Sequence, residues 1–174
     1  TIEHIMSVFY ILGIDNALVK VNNPEVPILD GSGREFLRIL QSAELAVQNA
    51  PRRILKVSRE VRFEDGKGAS ITLLPAETLH ICFDIEFPSK IVGHQNFDKD
   101  ITKEVFAAEI APCRTFCEKY QVDYLQSIGL IKGGSLDNAV VLDGETILNP
   151  GGFRVPNECV NHKVMDTIGD LYTS

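Results

Sequence analysis

The first thirteen residues restrict the fold more than any other part of the sequence, because they read as a helix without a polar face. Thr1 is a suitable N-cap and Gly13 a suitable C-terminal stop, so the segment between them is predicted to be helical. Its apolar residues fall on every side of that helix: Ile2, Ile5, Met6, Val8, Phe9, Ile11 and Leu12. A helix that is apolar all round is buried, so this segment predicts a core that the rest of the chain must cover.

Glu3 and His4 are polar residues at the start of this helix, and they therefore enter the core at its rim. A buried charged group is paired, hydrogen-bonded or bound to a metal ion. The plainer interpretation is a hydrogen-bonded core histidine beside a glutamate that the positive N-terminus of the helix favours. This segment alone leaves both interpretations open.

A polar stripe lies near the other end of the sequence, in residues 161–170. His162, Asp166 and Asp170 are spaced four apart, which at about 100° per residue aligns them along one side of a helix. The apolar residues fall on the other side: Val160, Val164, Ile168 and Leu171. A histidine and a carboxylate one helical turn apart can bind one metal ion. Alternatively, the apolar side packs and the polar stripe simply faces water.

Together the two segments supply the residues of a catalytic zinc site. His4, His162 and Asp166 offer two imidazoles and a carboxylate, and three protein ligands with one open position are typical of catalytic zinc. Glu3, beside a ligand, occupies the usual position of a general base for the attacking water. Because His4 and His162 are far apart in the sequence, only the folded chain can bring them together.

The cysteines offer a rival metal site. The chain has four of them, Cys82, Cys113, Cys117 and Cys159, which are few for a disulfide scaffold and are expected to be reduced. Cys113 and Cys117, with Cys159 and His162, form a set of four ligands for a structural zinc. The turn glycines that are common in zinc knuckles do not accompany Cys113, which disfavours this alternative.

The composition excludes several classes of partner. The 174 residues carry a net charge of −7 and no basic patch, so we expect no nucleic-acid partner. No apolar run reaches the roughly 18 residues of a spanning helix, so we expect no transmembrane segment. The apolar start lacks the basic region and cleavage site of a signal peptide, so we expect a cytoplasmic protein. We also expect a monomer.

Periodicity and turn residues predict an α+β fold with two layers. Helices are expected over residues 34–50, 100–110 and 122–128. Strands are expected at 17–21, 54–64, 71–74, 79–87, 138–142 and 146–148. Asp65-Gly66-Lys67-Gly68 is a strong hairpin turn between two of these strands. Antiparallel groups of strands followed by helices favour the α+β class, with Pro51 as the end of a helix and a domain boundary.

Seven motifs, which occur in the same order as in a known family, give the sequence a resemblance to that family. They are Thr1-Ile2-Glu3-His4, Gly13-Ile14-Asp15-Asn16, Glu25-Val26-Pro27-Ile28-Leu29-Asp30-Gly31-Ser32, Arg114-Thr115-Phe116, Lys132-Gly133-Gly134-Ser135-Leu136-Asp137-Asn138-Ala139, Leu148-Asn149-Pro150, and His162-Lys163 followed by Asp166 and Gly169-Asp170. No single motif is decisive, but together they span the whole chain. The chain resembles the zinc-dependent UDP-3-O-acyl-N-acetylglucosamine deacetylases of lipid A biosynthesis in Gram-negative bacteria.

The resemblance implies zinc chemistry on a UDP-acyl-sugar. His4, His162 and Asp166 match the family's zinc ligands, and Glu3 matches its general base. Zinc would polarise the acetamide carbonyl and Glu3 would take the proton of the attacking water, so that acetate leaves and a glucosamine amine is freed. Two other functions stay open: a metal-stabilised ligand-binding domain without catalytic activity, and a structural domain whose polar stripe is solvated.

The resemblance also implies roles for residues around the ligands. Thr115 matches the residue that stabilises the tetrahedral oxyanion, which a hydroxyl donor can do. Phe116 and Gly134 match positions near the sugar and the acyl chain. Lys163 matches a basic residue near the diphosphate, where a point charge suffices. Asp170 matches the carboxylate that orients a catalytic histidine.

The family fold has two similar two-layer α+β domains. Residues 1–50 match the end of the first domain, and 51–174 match an incomplete second domain with an acyl-passage insert at about 89–111. The family's general-acid histidine would follow Ser174, so we expect the chain to be a piece lacking both ends and inactive alone. Glu118 stands where an apolar residue is usual, and Gln121 where a carboxylate is frequent.

Overall fold

The computed structural model describes residues 2–173, so the predicted N-cap Thr1 lies outside the described residues. The helices are α1 (Glu3–Leu12), α2 (Arg34–Gln41), α3 (Lys103–Val105), α4 (Lys119–Ser127) and α5 (Glu158–Leu171). A π-helical segment, Phe106–Ile110, continues α3 directly. The strands are β1 (Val61–Glu64), β2 (Ser70–Leu73), β3 (His80–Glu86), β4 (His94–Asp100), β5 (Phe116–Glu118), β6 (Val140–Asp143) and β7 (Thr146–Ile147).

The strands form three small sheets. β1 pairs with β2, and β3 pairs with β4, both as antiparallel hairpins. β6 pairs in parallel with β5 and antiparallel with β7. The parallel pair requires a crossover, and α4 supplies it. These separate helices and sheets confirm the predicted α+β class.

The core forms around two helices from opposite ends of the chain, α1 and α5. Fully buried side chains come from both of them and from the segments packed against them: Val8, Phe106, Ile110, Val140, Leu142, Val160, Val164, Met165 and Ile168. Every residue of α1 is buried or half-buried, as predicted for this helix, whereas Ile2 immediately before it is 49% exposed. Gly13 takes a left-handed conformation and its N–H donates to Tyr10, so α1 ends where the sequence indicates.

A close backbone contact sets the distance between α1 and α5. Gly169 of α5 lies against the backbone of Glu3, and a Cβ at position 169 would overlap the Glu3 carbonyl. Glycine is therefore required at this crossing, because any side chain would push the helices apart. The contact also brings the start of α1 beside the middle of α5, where two predicted metal ligands lie.

Two predicted elements are wrong in type or length. Residues 17–21 form no strand; they are exposed, and no partner strand is hydrogen-bonded to them in the described chain. The helix predicted over 34–50 ends at Gln41, because the hydroxyl of Ser42 donates to a carbonyl of its last turn and the following residues are exposed. Without burial of its apolar side, the rest of that segment does not stay helical.

The other predicted helices and strands lie close to their predicted positions, but the strands β4 and β5 were not predicted. The hairpin at Asp65-Gly66-Lys67-Gly68 is confirmed, with Asp65 accepting backbone N–H groups across the turn. The strand predicted at 54–64 is shorter, since only Val61–Glu64 finds a partner. None of the helices in residues 2–173 has the length and apolar content that crossing a lipid bilayer requires.

Candidate metal centre

His4, His162 and Asp166 meet where α1 crosses α5. One possible ligand atom from each lies within 4.8 Å of the other two, the one such group found in residues 2–173. Asp166 Oδ1 lies 3.5 Å from His4 Nε2 and 3.4 Å from His162 Nε2. The two imidazole rings meet edge to face, with centroids 5.0 Å apart. The three side chains therefore converge on one point.

Burial distinguishes this cluster from a solvated polar stripe. His4 is 3% exposed and His162 is 1% exposed, while Asp166 is partly buried. Two buried atoms of the cluster, Asp166 Oδ1 and His4 Nδ1, have no hydrogen-bond partner among residues 2–173. Buried polar atoms are rarely left unpaired, and an ion is one of the usual reasons. Two imidazoles and a carboxylate are ligands that suit zinc, so the residues present fit such an ion.

The imidazole of His162 is held in one orientation. Its Nδ1 lies 3.0 Å from the carbonyl oxygen of Cys113, which can only accept, so Nδ1 carries the hydrogen. The other nitrogen then directs its lone pair toward Asp166. Burial, the largest cause, lowers the pKa of His162 to about 4, which keeps the ring neutral near pH 7. A neutral imidazole is the form that binds metal ions.

The carboxylate of Asp166 stays ionised in spite of its surroundings. Burial alone would raise its pKa, but the polar and positive groups beside it, His4, His162 and Lys163, lower it overall. Lys163 Nζ lies 3.2 Å from Asp166 Oδ2. The cluster therefore combines an anionic oxygen with a neutral imidazole, which is the protonation state that a divalent cation needs.

Lys163 and Phe116 continue the site toward solvent. Lys163 Nζ lies 5.9 Å from the centre of the Phe116 ring, and Phe116 meets Phe87 edge to face at 5.3 Å. A cation beside an aromatic face, next to the ligand cluster, offers charge and stacking surface to one ligand. Two of the predicted substrate contacts thus lie side by side.

The other predicted site residues lie on neighbouring segments. Glu3 is partly exposed at the start of α1, directly before His4. Asp170 has a raised pKa, caused first by its partial burial and then by the negative charges of Glu3 and Asp166. The backbone of Thr115 is fixed on both sides, because its N–H donates to Gly31 and its carbonyl accepts from Val140, each at 2.8 Å.

Gly134 lies in the exposed turn between α4 and β6, where its N–H donates to the carbonyl of Ile131. The two unusual residues of the sequence, Glu118 and Gln121, form a capping box at the start of α4. The side chain of Gln121 accepts the backbone N–H of Glu118, and the side chain of Glu118 accepts the backbone N–H of Gln121. Both departures from the family pattern therefore have a local structural reason.

A groove beside Phe116 runs along α4, outside the predicted insert. Residues 89–111 bury their large apolar side chains in the core: Val92, Phe97, Phe106 and Ile110. Tyr120 and Tyr124, in contrast, are exposed along α4. With Cys117, Gln121 and Leu125 they line a groove of 370 Å³ that begins at the residue after Phe116. The acyl-passage role of 89–111 stays a prediction, and α4 is a second candidate surface.

The cysteines do not assemble the rival zinc site within residues 2–173. All four are free, and His162 contacts the carbonyl of Cys113 and not its thiol. The thiol of Cys113 donates to the carbonyl of Glu109. Burial, with Glu158 second, raises the pKa of Cys159 to about 12, so that sulfur stays a thiol. His80 and His94 lie on the outer face of the β3–β4 hairpin, paired with aspartates.

Three features of the site were missed by sequence reasoning: the Cys113 carbonyl, the contact at Gly169, and a buried ion pair of Arg114 with Glu158. A backbone carbonyl carries no sequence signal. Arg114 and Gly169 both lie in the family motifs, but the sequence does not show what either residue contacts.

Comparison with known proteins agrees with the resemblance. The family described as LpxC: UDP-3-O-acyl N-acetylglycosamine deacetylase matches residues 1–174. The UDP-3-O-acyl-N-acetylglucosamine deacetylase of Phenylobacterium zucineum is 45% identical over 172 residues, which are 99% of this chain and 58% of that protein. The protein of the same name from a Nitratiruptor species is 45% identical over 171 residues, 98% of this chain and 57% of that protein.

A third relative, the UDP-3-O-acyl-N-acetylglucosamine deacetylase of Myxococcus xanthus, is 44% identical over 172 residues. These residues are 98% of this chain and 54% of that protein, so the chain spans less than two thirds of the length of these relatives. Identity of this degree over nearly the whole chain shows common descent. The chain therefore belongs to the UDP-3-O-acyl N-acetylglycosamine deacetylase family.

Proposed function

We propose that this chain is part of a zinc-dependent hydrolase that removes the acetyl group of UDP-3-O-acyl-N-acetylglucosamine in lipid A biosynthesis. The observation that carries the proposal is the buried cluster of His4, His162 and Asp166, in which the unpaired Asp166 Oδ1 faces both imidazoles, in a member of this family. The proposed substrate is the one in the names of the two relatives described above. The proposed location is the cytoplasm and the proposed oligomeric state is a monomer.

The proposed ligands are His4, His162 and Asp166. Bound zinc would act as a Lewis acid on the carbonyl oxygen of the substrate's acetamide. Glu3 is the proposed general base. Glu3 is the first residue of α1 and immediately precedes the proposed ligand His4 in the sequence. A carboxylate at this position is suited to accept a proton from an attacking water. Its electrostatic effect on Asp170 agrees with a carboxylate on the same side of the site.

Thr115 is proposed to donate its hydroxyl hydrogen bond to the oxyanion that forms during attack. Its fixed backbone supports this role, because a donor contributes most when it needs no reorganisation during the reaction. Asp170 is proposed to orient the general-acid histidine that the family resemblance implies. Its carboxylate lies on the α5 stripe that also carries Asp166.

Substrate recognition is proposed to use the surface beside the cluster. Lys163 offers a positive charge to the diphosphate, and Phe116 offers an aromatic face to the sugar. Gly134 is proposed to contact the sugar or the acyl chain from the turn after α4. The acyl chain itself is proposed to lie against the tyrosines of α4 or, in the alternative drawn from the sequence, against residues 89–111.

The test compares metal content with turnover in the complete gene product. We expect His4→Ala to lose the bound zinc and the activity together, and Glu3→Ala to keep about one zinc per chain while losing most acetate release. Cys159→Ala is the matched control and should keep both. Loss of zinc in Cys159→Ala, or zinc retained in His4→Ala, would contradict the assignment. Zinc and substrate bound by wild type without acetate release would favour the ligand-binding alternative.

A further inference from the structure

A buried ion pair lies behind the candidate metal centre. Arg114 is 7% exposed and Glu158 is fully buried. Glu158 Oε1 accepts from Arg114 Nε at 2.9 Å, and Oε2 accepts from Arg114 Nη2 at 3.2 Å. The same carboxylate accepts the backbone N–H groups of Arg114 and Arg154. Four donors thus converge on one carboxylate, and Arg114 also donates to the carbonyl of Gly152.

This pair connects the two segments that shape the centre. Glu158 lies one helical turn before His162 on α5, so it is fixed to the helix that carries two of the candidate ligands. Arg114 lies between Cys113, whose carbonyl accepts the hydrogen of His162, and Thr115, the proposed oxyanion donor. A displacement of Arg114 would therefore move both neighbours.

A second layer fixes the same segment from the other side. Arg154 donates to Asp30 Oδ2 at 2.8 Å and to the carbonyl of Pro112 at 3.2 Å. Gly31, next to Asp30, accepts the N–H of Thr115. The loop before α2, the segment 112–115 and the start of α5 are thereby joined through side chains of opposite charge.

We infer that Arg114 and Glu158 are positioning residues, which orient the His162 ring through the Cys113 carbonyl and fix Thr115 beside the metal centre. The inference rests on the proposed function, since it requires that the cluster binds an ion. Stability alone is a weak reason for a buried ion pair, because desolvation offsets much of the attraction. The bidentate pair of hydrogen bonds requires a guanidinium group. A lysine at position 114 would keep the positive charge but could not make both bonds in this geometry.

The test uses Arg114→Lys and Glu158→Gln in the complete gene product, stripped of metal and reloaded with Zn²⁺ or Co²⁺. Ion affinity is measured by competition with a chelator, and the visible absorption of bound Co²⁺ reports the ligand geometry. We expect ion affinity to fall by about 10- to 100-fold, the usual effect of losing an outer-shell partner, with a changed Co²⁺ spectrum. Arg62→Lys is the matched control, because Arg62 pairs with an exposed glutamate on β1.

Two further measurements distinguish a positioning role from a folding role. Circular dichroism reports whether the variant is folded, and the ¹H–¹⁵N NMR signal of the His162 Nδ1–H reports its bond to the Cys113 carbonyl. Positioning predicts a folded variant with weaker ion binding and an altered His162 signal, whereas Arg62→Lys stays like wild type. Unchanged affinity and spectrum in folded variants would overturn the inference and leave the proposed function intact. Two unfolded variants would also overturn it, because the pair would then be a requirement for folding. A wild-type protein that binds no ion would remove the proposed function and this inference together.

Discussion

The carbonyl oxygen of Glu3 lies against Gly169, so close that a methyl group at position 169 would overlap it. This single contact lets α1 and α5 touch backbone to backbone. It also fixes the separation of His4 from Asp166, whose atoms lie 3.5 Å apart beside the contact. The absence of a side chain at position 169 therefore helps to set the geometry of the ligand cluster.

Gly169→Ala should separate the two helices. Overpacking of this kind costs about 1–3 kcal/mol of stability, and we expect a lower free energy of unfolding in urea together with weaker metal binding. Gly151→Ala is the control, because a Cβ there meets open space. Equal stability and metal affinity in the two variants would show that the crossing tolerates a wider gap.

The metal-free protein should lose stability on mild acidification. Burial lowers the pKa of His162 from 6.5 to about 4, so between these values the unfolded chain binds a proton that the folded protein does not. Stability therefore falls as the pH falls from 6.5 to 4, by roughly 3 kcal/mol in total. Urea unfolding in the presence of a chelator at several pH values measures this.

The control for the pH series is His162→Gln, in which this slope should be absent. Asp166 has a pKa below its ordinary value of 3.8, so its contribution is lost chiefly at lower pH, outside the same window. A wild-type curve that is flat between about pH 4 and 6.5 would mean that the buried ring is charged.

The cysteines should differ strongly in their reaction with a thiol reagent. Cys82 is exposed on β3, whereas Cys113 and Cys159 are buried and their thiol pKa values are raised chiefly by that burial. Because the thiolate is the reactive form, we expect rapid labelling of Cys82 and labelling of the buried pair only on unfolding. Mass spectrometry of alkylated peptides, with and without urea, identifies the order.

Cys117 is half-buried with a raised pKa and should react at an intermediate rate. Cys82→Ser is the control and should remove the rapid phase. Loss of bound zinc in Cys113→Ser or Cys159→Ser, with the chain still folded, would instead support the cysteine site that the sequence left as a rival.

Tyr124→Ser tests whether α4 contacts the acyl chain. Loss of aromatic contact area should raise KM about tenfold for a long-chain substrate and little for a short-chain one, with metal content unchanged. Phe63→Ser on β1 is the matched control, since Phe63 is an aromatic residue that is 64% exposed on another sheet. Equal effects on long and short chains would remove α4 from the acyl contact and favour residues 89–111.

Sequence spacing predicted the parts of the fold that depend on near neighbours. The alignment of His162 with Asp166 follows from one helical turn, and the hairpin at Asp65 follows from its turn glycines. The length of a helix depends instead on what covers it, so the amphipathic pattern of 34–50 overstated α2, which ends at Gln41.

The surroundings of the cluster could not be read in the same way. Arg114 and Glu158 are charged residues, which are usually exposed, and their burial follows only from meeting each other across 44 residues of sequence. The Cys113 carbonyl belongs to the backbone, so its bond to His162 is invisible until the segment 112–116 is fixed. Long-range pairing, not local propensity, decides both.

His4 and His162 come from the first and the last helix of the described chain. An ion bound by both would add a second link between these helices, which already pack against each other in the core. Because such an ion binds only the folded arrangement of the two helices, its binding free energy adds to the stability of the folded chain. Metal binding should therefore stabilise α1 and α5 as one unit, and we expect hydrogen exchange in both helices to slow together as ion occupancy rises.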